Sequence, residues 1–427
     1  MSRSFEFQDH GAVVQGCLDA SAPPTPPIGN FRSLARYASY IAVLEFASPM
    51  PTPFFNSRQV QDLLSLALPR LRELRMAVHP TTKDVPFPVT ISHDRHPRLS
   101  ALCLTGLPIS MESSFPNSLC ELTLSDYPPG AQPLERCRFT ALLNSTFASL
   151  KILILCRYLG NTTVDMVRLN EDFRRAGPDY LDSYQAIHIH LTHLEFLAIE
   201  DSVRNTVQMI EWMDKSLPHN TQITARYEIA DLTSRWQSEA SEGALFFDAL
   251  VRRSVDEHPL SAPQLPSILK DVVAAQLFFD GEYITLACTC YSKRQRTEAP
   301  LVLRLHIREF NRLDRHSRVR LHAMALKSVR WVICESGQDL RSLEVVGVAD
   351  DVGVDAWVEL LNTLTCIERS ALRELTLVQD EDSALGQARE DLLRALRLKR
   401  QDPGFDLPAG LQAFHVQGSR RWKIFGP

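Results

Sequence analysis

The stretch Phe115–Pro129, FPNSLCELTLSDYPP, decides the fold because it contains a short phrase that recurs along the chain. It places Leu119, Leu122 and Leu124 at the spacing L-x-x-L-x-L, with prolines on both sides. In an extended strand, successive side chains point to opposite faces, so Leu122 and Leu124 share one face and Thr123 lies on the other. The phrase predicts a short strand with one buried face.

The same phrase, or an apolar variant of it, returns along the sequence. The copies are IAVLEF at 41–46, LRELRM at 71–76, LSALCL at 99–104, LKILIL at 150–155, LEFLAI at 194–199, LRSLEV at 340–345, LRELTL at 372–377 and LQAFHV at 411–416. Leucine-only copies number about six, two of them in segments with helical periodicity, against about one expected by chance. Several copies are introduced and followed by turn residues, which favours short strands.

The segments between several copies have a helical period. In NSRQVQDLLSLALP, Ser57 is placed to cap a helix that carries Val60, Leu63, Leu64 and Ala67 on one face. The segment GVDAWVELLNTLTCI before LRELTL has the same period. Each unit is therefore expected to be a strand followed by a helix, which cannot bury its apolar face without neighbours.

These units predict an α/β fold: an irregular leucine-rich-repeat-like solenoid, or horseshoe, with parallel strands on the concave face and helices outside. The alternative is a doubly wound α/β domain, which also alternates strands and helices. That fold predicts a glycine-rich phosphate-binding turn after an early strand, and the sequence contains neither G-x-G-x-x-G nor G-x-x-x-x-G-K-[ST].

The middle of the chain interrupts this pattern. The segment VVAAQLFFDGEYITLACTC predicts two strands joined at Asp280-Gly281, and PLVLRLHIREF predicts a further strand with Leu303, Leu305 and Ile307 inward. This region is either an insertion in the array or a junction between two subarrays. The predicted organisation is a disordered segment at 1–30, a first repeat subarray at 31–219, an irregular insertion with a β-hairpin at 220–310, a second subarray at 311–417 and a tail at 418–427.

Composition narrows the classes of function. The chain has 427 residues, 44% of them hydrophobic, and a formal net charge of -5, which argues against a general nucleic-acid-binding protein. No apolar run is long enough to cross a bilayer, and the first thirty residues lack the pattern of a secretory signal. The nine cysteines are scattered, which is typical of reduced structural thiols. We expect a cytoplasmic or nuclear protein that binds neither nucleic acid nor membrane.

The sequence carries no recognisable catalytic motif. It lacks G-x-S-x-G, H-E-x-x-H, the kinase motifs and the sequence contexts of papain-like and caspase-like cysteines. The three histidines of HIHLTH, at 188–193, fit no standard zinc spacing. We therefore expect a protein that is not an enzyme and that needs no cofactor or metal. The alternatives are a hydrolase or transferase built on an α/β sheet, and a structural remnant that has no partner.

The L-x-x-L-x-L phrases, the mid-chain hairpin and the closing segment GQDLRSLEVVGVADD…WVELLNTL…ALRELTLVQDED resemble the fungal F-box/leucine-rich-repeat proteins over about 31–417. The resemblance implies a repeat array that holds a target protein for a cullin ubiquitin ligase. In that family an N-terminal F-box docks on the Skp adaptor. Residues 1–56 contain neither an F-box opening phrase such as LPxEILxxI nor the two apolar helices that follow it, so any link to Skp or cullin is expected to be indirect.

Residues that alternate with the buried leucines are the candidate partner-binding positions, since they face away from the core. They are Glu45, Glu73, Arg75, Cys103, Glu121, Thr123, Phe196, Arg304, His306, Glu344, Glu374, Thr376 and His415. The set is more acidic than basic, so a partner with a Lys/Arg-rich segment would fit it. The alternative is that these are solvated strand residues. In LKILIL, Ile152 and Ile154 are either covered by a loop or part of a contact site.

Overall fold

The computed structural model of the chain describes residues 3–9, 12–23, 28–47, 49–79, 84–110, 112–132, 136–146, 148–159, 189–213, 217–218, 220–227, 272–292, 297–336, 340–347, 352–365, 374–378, 387–401, 413–417 and 421–424. The chain divides into two compact units. Unit 1 comprises residues 1–201 and 215–218, and unit 2 comprises residues 202–214 and 219–427. Both units are mixed α/β with a mostly parallel sheet, as the sequence predicts for the fold class.

The sheet of unit 1 has its strands in the order in which they occur along the chain, β1 to β8. Their bounds are β1 Arg3–Asp9, β2 Ala12–Leu18, β3 Ile41–Phe46, β4 Glu73–Ala77, β5 Ala101–Thr105, β6 Glu121–Ser125, β7 Ile152–Cys156 and β8 Phe196–Ser202. From β3 onward each strand pairs in parallel with the next. Every predicted phrase in this unit therefore forms a strand.

The strands of unit 1 repeat the same local hydrogen bonds. The carbonyl oxygens of Arg72, Ser100, Cys120 and Lys151 each accept from two successive backbone N–H groups of the next repeat. The first leucine of a phrase lies in the turn before its strand and is buried, as at Leu99 and Leu119. The second and third apolar residues of each phrase fill the core, all with 4% exposure or less. The L-x-x-L-x-L spacing thus fixes one turn position and two strand positions.

The helices of unit 1 are α1 Phe31–Ala35, α2 Thr52–Phe55, α3 Arg58–Ser65 and α4 Arg136–Asn144, with a 3-10 turn at Ala38–Tyr40. The helix predicted after Ser57 is α3, which buries Val60 and Leu63. Ser57 occupies the N-cap position, but its hydroxyl makes no capping bond. Leu64 is only half-buried, and Ala67 lies beyond the end of the helix and is exposed.

Two connections of unit 1 differ from the predicted strand-helix unit. Between β4 and β5, and between β5 and β6, the described residues contain no helix. The first connection contains four prolines, including Pro86 and Pro97, and the second contains two, Pro108 and Pro116. Proline interrupts a helix by removing an N–H donor and clashing with the preceding turn. These segments instead form an irregular layer joined by a β-bridge between Val89 and Ile109.

The prediction of a disordered segment at 1–30 is wrong for the residues that form β1 and β2. Strands β1 and β2 form an antiparallel hairpin that pairs through β2 with β3. Phe7, Val14 and Leu18 are buried, and the Phe7 ring packs edge-on against Phe31 at 5.4 Å between centroids. The alternation of apolar residues in both strands supplies enough burial for order. The proline-rich stretch after them, which suggested disorder, lies partly outside the described residues.

The sheet of unit 2 has the strand order β9-β12-β11-β10-β13-β14-β15-β16. Its strands are β9 Thr221–Tyr227, β10 Val272–Asp280, β11 Tyr283–Ser292, β12 Thr297–Ile307, β13 Ser342–Val346, β14 Glu374–Val378, β15 Ala413–Gln417 and β16 Arg421–Ile424. Its helices are α5 Val203–Met213, α6 Arg315–Ser336, α7 Val354–Thr365 and α8 Gln387–Arg400, with a 3-10 turn at Phe310–Arg312. The phrases at 340–345, 372–377 and 411–416 form the parallel strands β13, β14 and β15.

The hairpin predicted in mid-chain is present, with its two-residue loop at Gly281-Glu282, one residue later than expected. Strands β10, β11 and β12 form an antiparallel meander whose outer strands pair in parallel with β13 and β9. Leu303, Leu305 and Ile307 are buried as predicted. In its described part, the region 220–310 is therefore a continuous piece of paired sheet. Among the described helices of both units, none combines the length and apolar character that crossing a membrane requires.

Candidate functional site

The side chains that alternate with the buried residues of β3–β8 share one face of the unit 1 sheet, which we call the alternate face. Strand register arranges them in rows that run across the strands. One row is Val43, Glu73, Ala101, Glu121, Ile152 and Phe196, and the next is Glu45, Arg75, Cys103, Thr123, Ile154 and Ala198. All of these side chains are half-buried or exposed, so the face is accessible within the described residues.

The predicted site residues of unit 1 all lie on the alternate face. Glu45, Arg75 and Thr123 stand in one row, and Glu73, Glu121 and Phe196 stand in the other. The sequence identified these positions because the period of a strand is two. It could not tell which positions become neighbours, since the strands are separated by connections of different lengths.

Four apolar side chains lie together at the β7–β8 end of the alternate face. Ile152 is opposite Phe196, and Ile154 is opposite Ala198, on adjacent strands. We call these four residues the apolar patch. All four are half-buried, so Ile152 and Ile154 are neither fully covered nor fully exposed. The sequence nominated Phe196 and left Ile152 and Ile154 either covered by a loop or part of a contact site, because it could not show that the two isoleucines lie beside that ring.

Two sets of ion pairs border the apolar patch along the strand direction. Before β7 and β8, Lys151 Nζ lies 2.8 Å from Glu195 Oε1. After these strands, Arg157 Nε lies 2.6 Å from Asp126 Oδ1, and Arg157 Nη1 lies 3.4 Å from Glu200 Oε1. Each set brings cations and anions together, so neither border makes the patch strongly basic.

Toward the amino-terminal strands, the alternate face becomes acidic. Glu45, Glu73 and Glu121 lie on β3, β4 and β6, and the only basic side chain in the two rows is Arg75. Arg75 Nη2 lies 3.4 Å from Glu73 Oε2, with both side chains about half exposed. Burial raises the pKa of the Cys103 thiol, which stands next to Arg75 in register. The apolar patch is therefore followed along the face by carboxylates and an uncharged thiol.

The remaining predicted residues belong to unit 2. Arg304 and His306 lie on β12, and Glu344 lies on β13 with its Oε2 2.5 Å from Gln276 Nε2 of β10. Thr376, on β14, is half-buried and pairs in register with Glu344 and His415. Glu374 and His415 lie on β14 and β15, and the structure describes the backbone of these two residues but not their side chains.

Two further residues on the same face as Arg304 were missed by the sequence reasoning. Tyr283 and Thr285 are half-buried and alternate with the buried Ile284 and Leu286 of β11. The alternation in YITLACTC is the sequence signal that places both residues on the outward face. In the part of the chain that the structure describes, no group of three or more His, Cys, Asp and Glu side chains is placed to bind a metal. No family model, no curated protein and no solved structure matches this chain.

Proposed function

We propose that this protein is a non-enzymatic protein-interaction module that binds a partner on the alternate face of unit 1. The observation that carries the proposal is the apolar patch, in which Ile152 and Ile154 stand in register with Phe196 and Ala198. Apolar side chains held on an otherwise polar sheet face are a common feature of contact sites. A rigid sheet also spares the cost of ordering the binding surface.

The chemistry of the face supports a partner segment that is both apolar and basic. An aromatic or large aliphatic side chain would pack on Phe196 and Ile154 and lose its contact with water there. Lys or Arg residues farther along the segment would reach Glu121 and Glu73. These glutamates are two and four strands from Phe196, which is about 10 and 20 Å at the usual spacing between strands. The proposed partner therefore has a Lys/Arg-rich segment, and an apolar residue of that segment is anchored on the apolar patch.

We also propose that unit 1 is an irregular leucine-rich-repeat-like solenoid. Two features support this: the sequential order of β3 to β8, and the carbonyls of Arg72, Ser100, Cys120 and Lys151 that each accept two bonds from the next repeat. A doubly wound sheet binds its ligand where the strand order reverses. The described strands of unit 1 show no reversal, which favours a binding surface over a cleft.

The resemblance to the target-binding region of F-box proteins extends the proposal. The partner would be a target protein, and contact with the Skp adaptor and cullin would come indirectly, through another chain. The competing proposal is a hydrolase or transferase on the α/β sheet. It requires acid-base groups that converge in a deep cleft at the carboxyl ends of the strands.

A peptide-display selection tests the proposed function. A library of random 16-residue peptides is panned against the immobilised full-length chain, and the enriched peptides are sequenced. We expect enrichment of aromatic or large aliphatic residues together with Lys and Arg. Binding of enriched peptides should weaken about tenfold or more in Ile154→Asp, because a carboxylate would then face the apolar anchor.

The matched pair Glu121→Lys and Glu112→Lys separates the alternate face from general charge effects. Both residues are exposed, but Glu112 lies in the connection between β5 and β6. Glu121→Lys should weaken binding, while Glu112→Lys should leave it unchanged. Failure to enrich any peptide, or equal binding by Ile154→Asp, Glu121→Lys and the unmodified chain, would remove the support for this function and favour the enzyme or the structural remnant.

A further inference from the structure

Unit 2 carries a row of side chains whose chemistry differs from that of the alternate face of unit 1. Strand register places Thr224, Arg304, Thr285, Phe278 and Val346 next to one another on β9, β12, β11, β10 and β13. Arg304 is exposed, and the other four residues are half-buried. The row joins one cation and two hydroxyl groups to an apolar pair, and it contains no carboxylate.

The guanidinium of Arg304 is held in one orientation. Its Cζ lies 5.3 Å from the centre of the Tyr283 ring, and its Nε donates to Thr285 Oγ1 at 3.3 Å. Tyr283 is itself fixed, because its ring stacks on His306 at 4.6 Å with the planes 12° apart. A guanidinium positioned by an aromatic ring and by its Nε has its two terminal nitrogens directed away from these contacts.

The terminal edge of a guanidinium matches two oxygens of a carboxylate or phosphate group, which it binds through two parallel hydrogen bonds. Thr285 strengthens such a site, because a hydroxyl that accepts from Arg304 keeps its own proton free to donate. The nearby carboxylate of Glu282 contacts His306, with Oε2 3.5 Å from Nε2. The Tyr283 ring covers one side of the guanidinium.

The apolar pair sets a second requirement on the ligand. Phe278 is two strands from Arg304 across the row, about 10 Å at the usual strand spacing, and Val346 is the next residue beyond it. An extended peptide covers about 10 Å in three residues. A segment with an acidic or phosphorylated residue and an apolar residue three positions away would therefore contact both ends of the row.

We propose that unit 2 has a second binding site, which takes a carboxylate or phosphate group carried by a partner protein segment, with Arg304 and Thr285 as its hydrogen-bond donors. This goes beyond the proposed function of unit 1, because it assigns an anionic ligand to Arg304, which sequence reasoning had grouped with an acidic surface for a basic partner, and to Thr285, which that reasoning had missed. The two sites are independent in chemistry and are tested with different probes.

The experiment measures retention of the full-length chain on three oriented peptide libraries that differ only in the fixed central residue. This residue is phosphoserine, glutamate or serine, and the flanking positions are degenerate. We expect retention on the phosphoserine or the glutamate library, or on both, above that on the serine library, and an apolar preference three positions from the centre. The comparison of the two anionic libraries distinguishes phosphate from carboxylate as the source of the ligand.

Substitutions at the site give the decisive outcomes. Arg304→Gln should weaken binding about tenfold or more. Arg304→Lys should weaken it by a smaller factor, because lysine keeps the charge but cannot form two parallel hydrogen bonds. Thr285→Ser should retain binding, whereas Thr285→Val should lose part of it. Arg341→Gln, which removes an exposed arginine just before β13, is the matched control and should have no effect. Retention no higher on either anionic library than on serine, or equal retention by Arg304→Gln and Arg341→Gln, would overturn the proposal.

Discussion

The carboxylate of Asp126 receives a hydrogen bond of 2.6 Å from Arg157 Nε, and both residues have left-handed backbones at the ends of adjacent strands. Their φ angles are 55° and 52°, and Gly106 occupies the corresponding position after β5 with φ 69°. At each position the backbone N–H continues the ladder to the next strand, as from Asp126 N to Cys156 O. Two residues other than glycine are thus held at a position that glycine fills elsewhere.

Substitution of Asp126 should separate backbone strain from the ion pair. Asp126→Ala loses the partly exposed pair and puts a side chain with no local hydrogen bond in the left-handed region, so unfolding should require about 2 kcal/mol less. Asp126→Gly also loses the pair but fits the conformation, so its loss should stay within about 1 kcal/mol. Urea unfolding of the two variants measures the difference. Equal destabilisation by both would contradict a conformational contribution.

Three glycines allow a graded test of backbone conformation and space. Gly347 has φ 72°, and a Cβ atom there would lie 2.5 Å from the Phe279 carbonyl oxygen. Gly353 has φ 86° with open space around it, and Gly29 has neither a positive φ nor a close neighbour. We expect destabilisation on substitution by alanine to be about 2 kcal/mol or more at Gly347, about 1 kcal/mol at Gly353 and near zero at Gly29. Thermal unfolding curves of the three variants would show this order, and any other order would contradict it.

Two buried histidines should make both units sensitive to acid. Burial, with a smaller contribution from Arg95, lowers the pKa of His96 from 6.5 to about 4. Burial, with a smaller contribution from Arg318, does the same for His322, which packs against Phe279 and Phe310. Above pH 6.5 the folded and unfolded forms of each histidine are both neutral. Between pH 6.5 and 4 the unfolded chain binds a proton that the folded chain excludes, so stability falls, by up to about 3 kcal/mol per histidine.

Hydrogen exchange read separately in each unit would measure this acid sensitivity. His96→Gln should reduce the pH dependence of exchange in β5, and His322→Phe should reduce it in β10. Each variant is the control for the other, because the histidines lie in different units. A pH dependence between 6.5 and 4 that is unchanged in both variants would mean that other groups cause it.

The Cys156 thiol should be unreactive at neutral pH. Burial, assisted by the neighbouring carboxylate of Glu200, raises the pKa of this thiol to about 11. Because the thiolate is the reactive form, alkylation of Cys156 should remain slow up to about pH 10. Glu200→Gln should lower the pKa of Cys156 and speed alkylation, which mass spectrometry of the labelled peptides would quantify. Faster labelling in the unmodified chain than in Glu200→Gln would contradict the assigned cause.

Sequence reasoning succeeded where a single strand carries its own signal. The spacing of Leu119, Leu122 and Leu124 was enough to predict a buried strand, since the period of a strand is local. The same local signal is present in β1 and β2, around Phe7 and Val14, but the nearby prolines led to a prediction of disorder that is wrong for these strands. Sequence reasoning also predicted helices between β4, β5 and β6, where proline excludes them.

The candidate sites depend on register, which sequence reasoning could not supply. Ile152 and Phe196 meet because β7 and β8 pair directly, although a long connection separates them in the chain. Arg304 is oriented by Tyr283 from a different strand of the meander, so its role depends on the antiparallel pairing of β11 and β12. Alternation shows which residues face outward, but only pairing shows which of them become neighbours.

The repeated double acceptors at Arg72, Ser100, Cys120 and Lys151 have a consequence for how this protein can change. Each strand is aligned with its predecessor by bonds between backbone atoms, so these bonds do not involve the outward side chains. Exchanges of exposed side chains on the alternate face should therefore change stability by only about 0.5 kcal/mol, and doubling the length of a flexible connection should cost about 0.6 kcal/mol. A lineage of such chains could replace one partner with another through a few outward substitutions while the leucine positions stay the same.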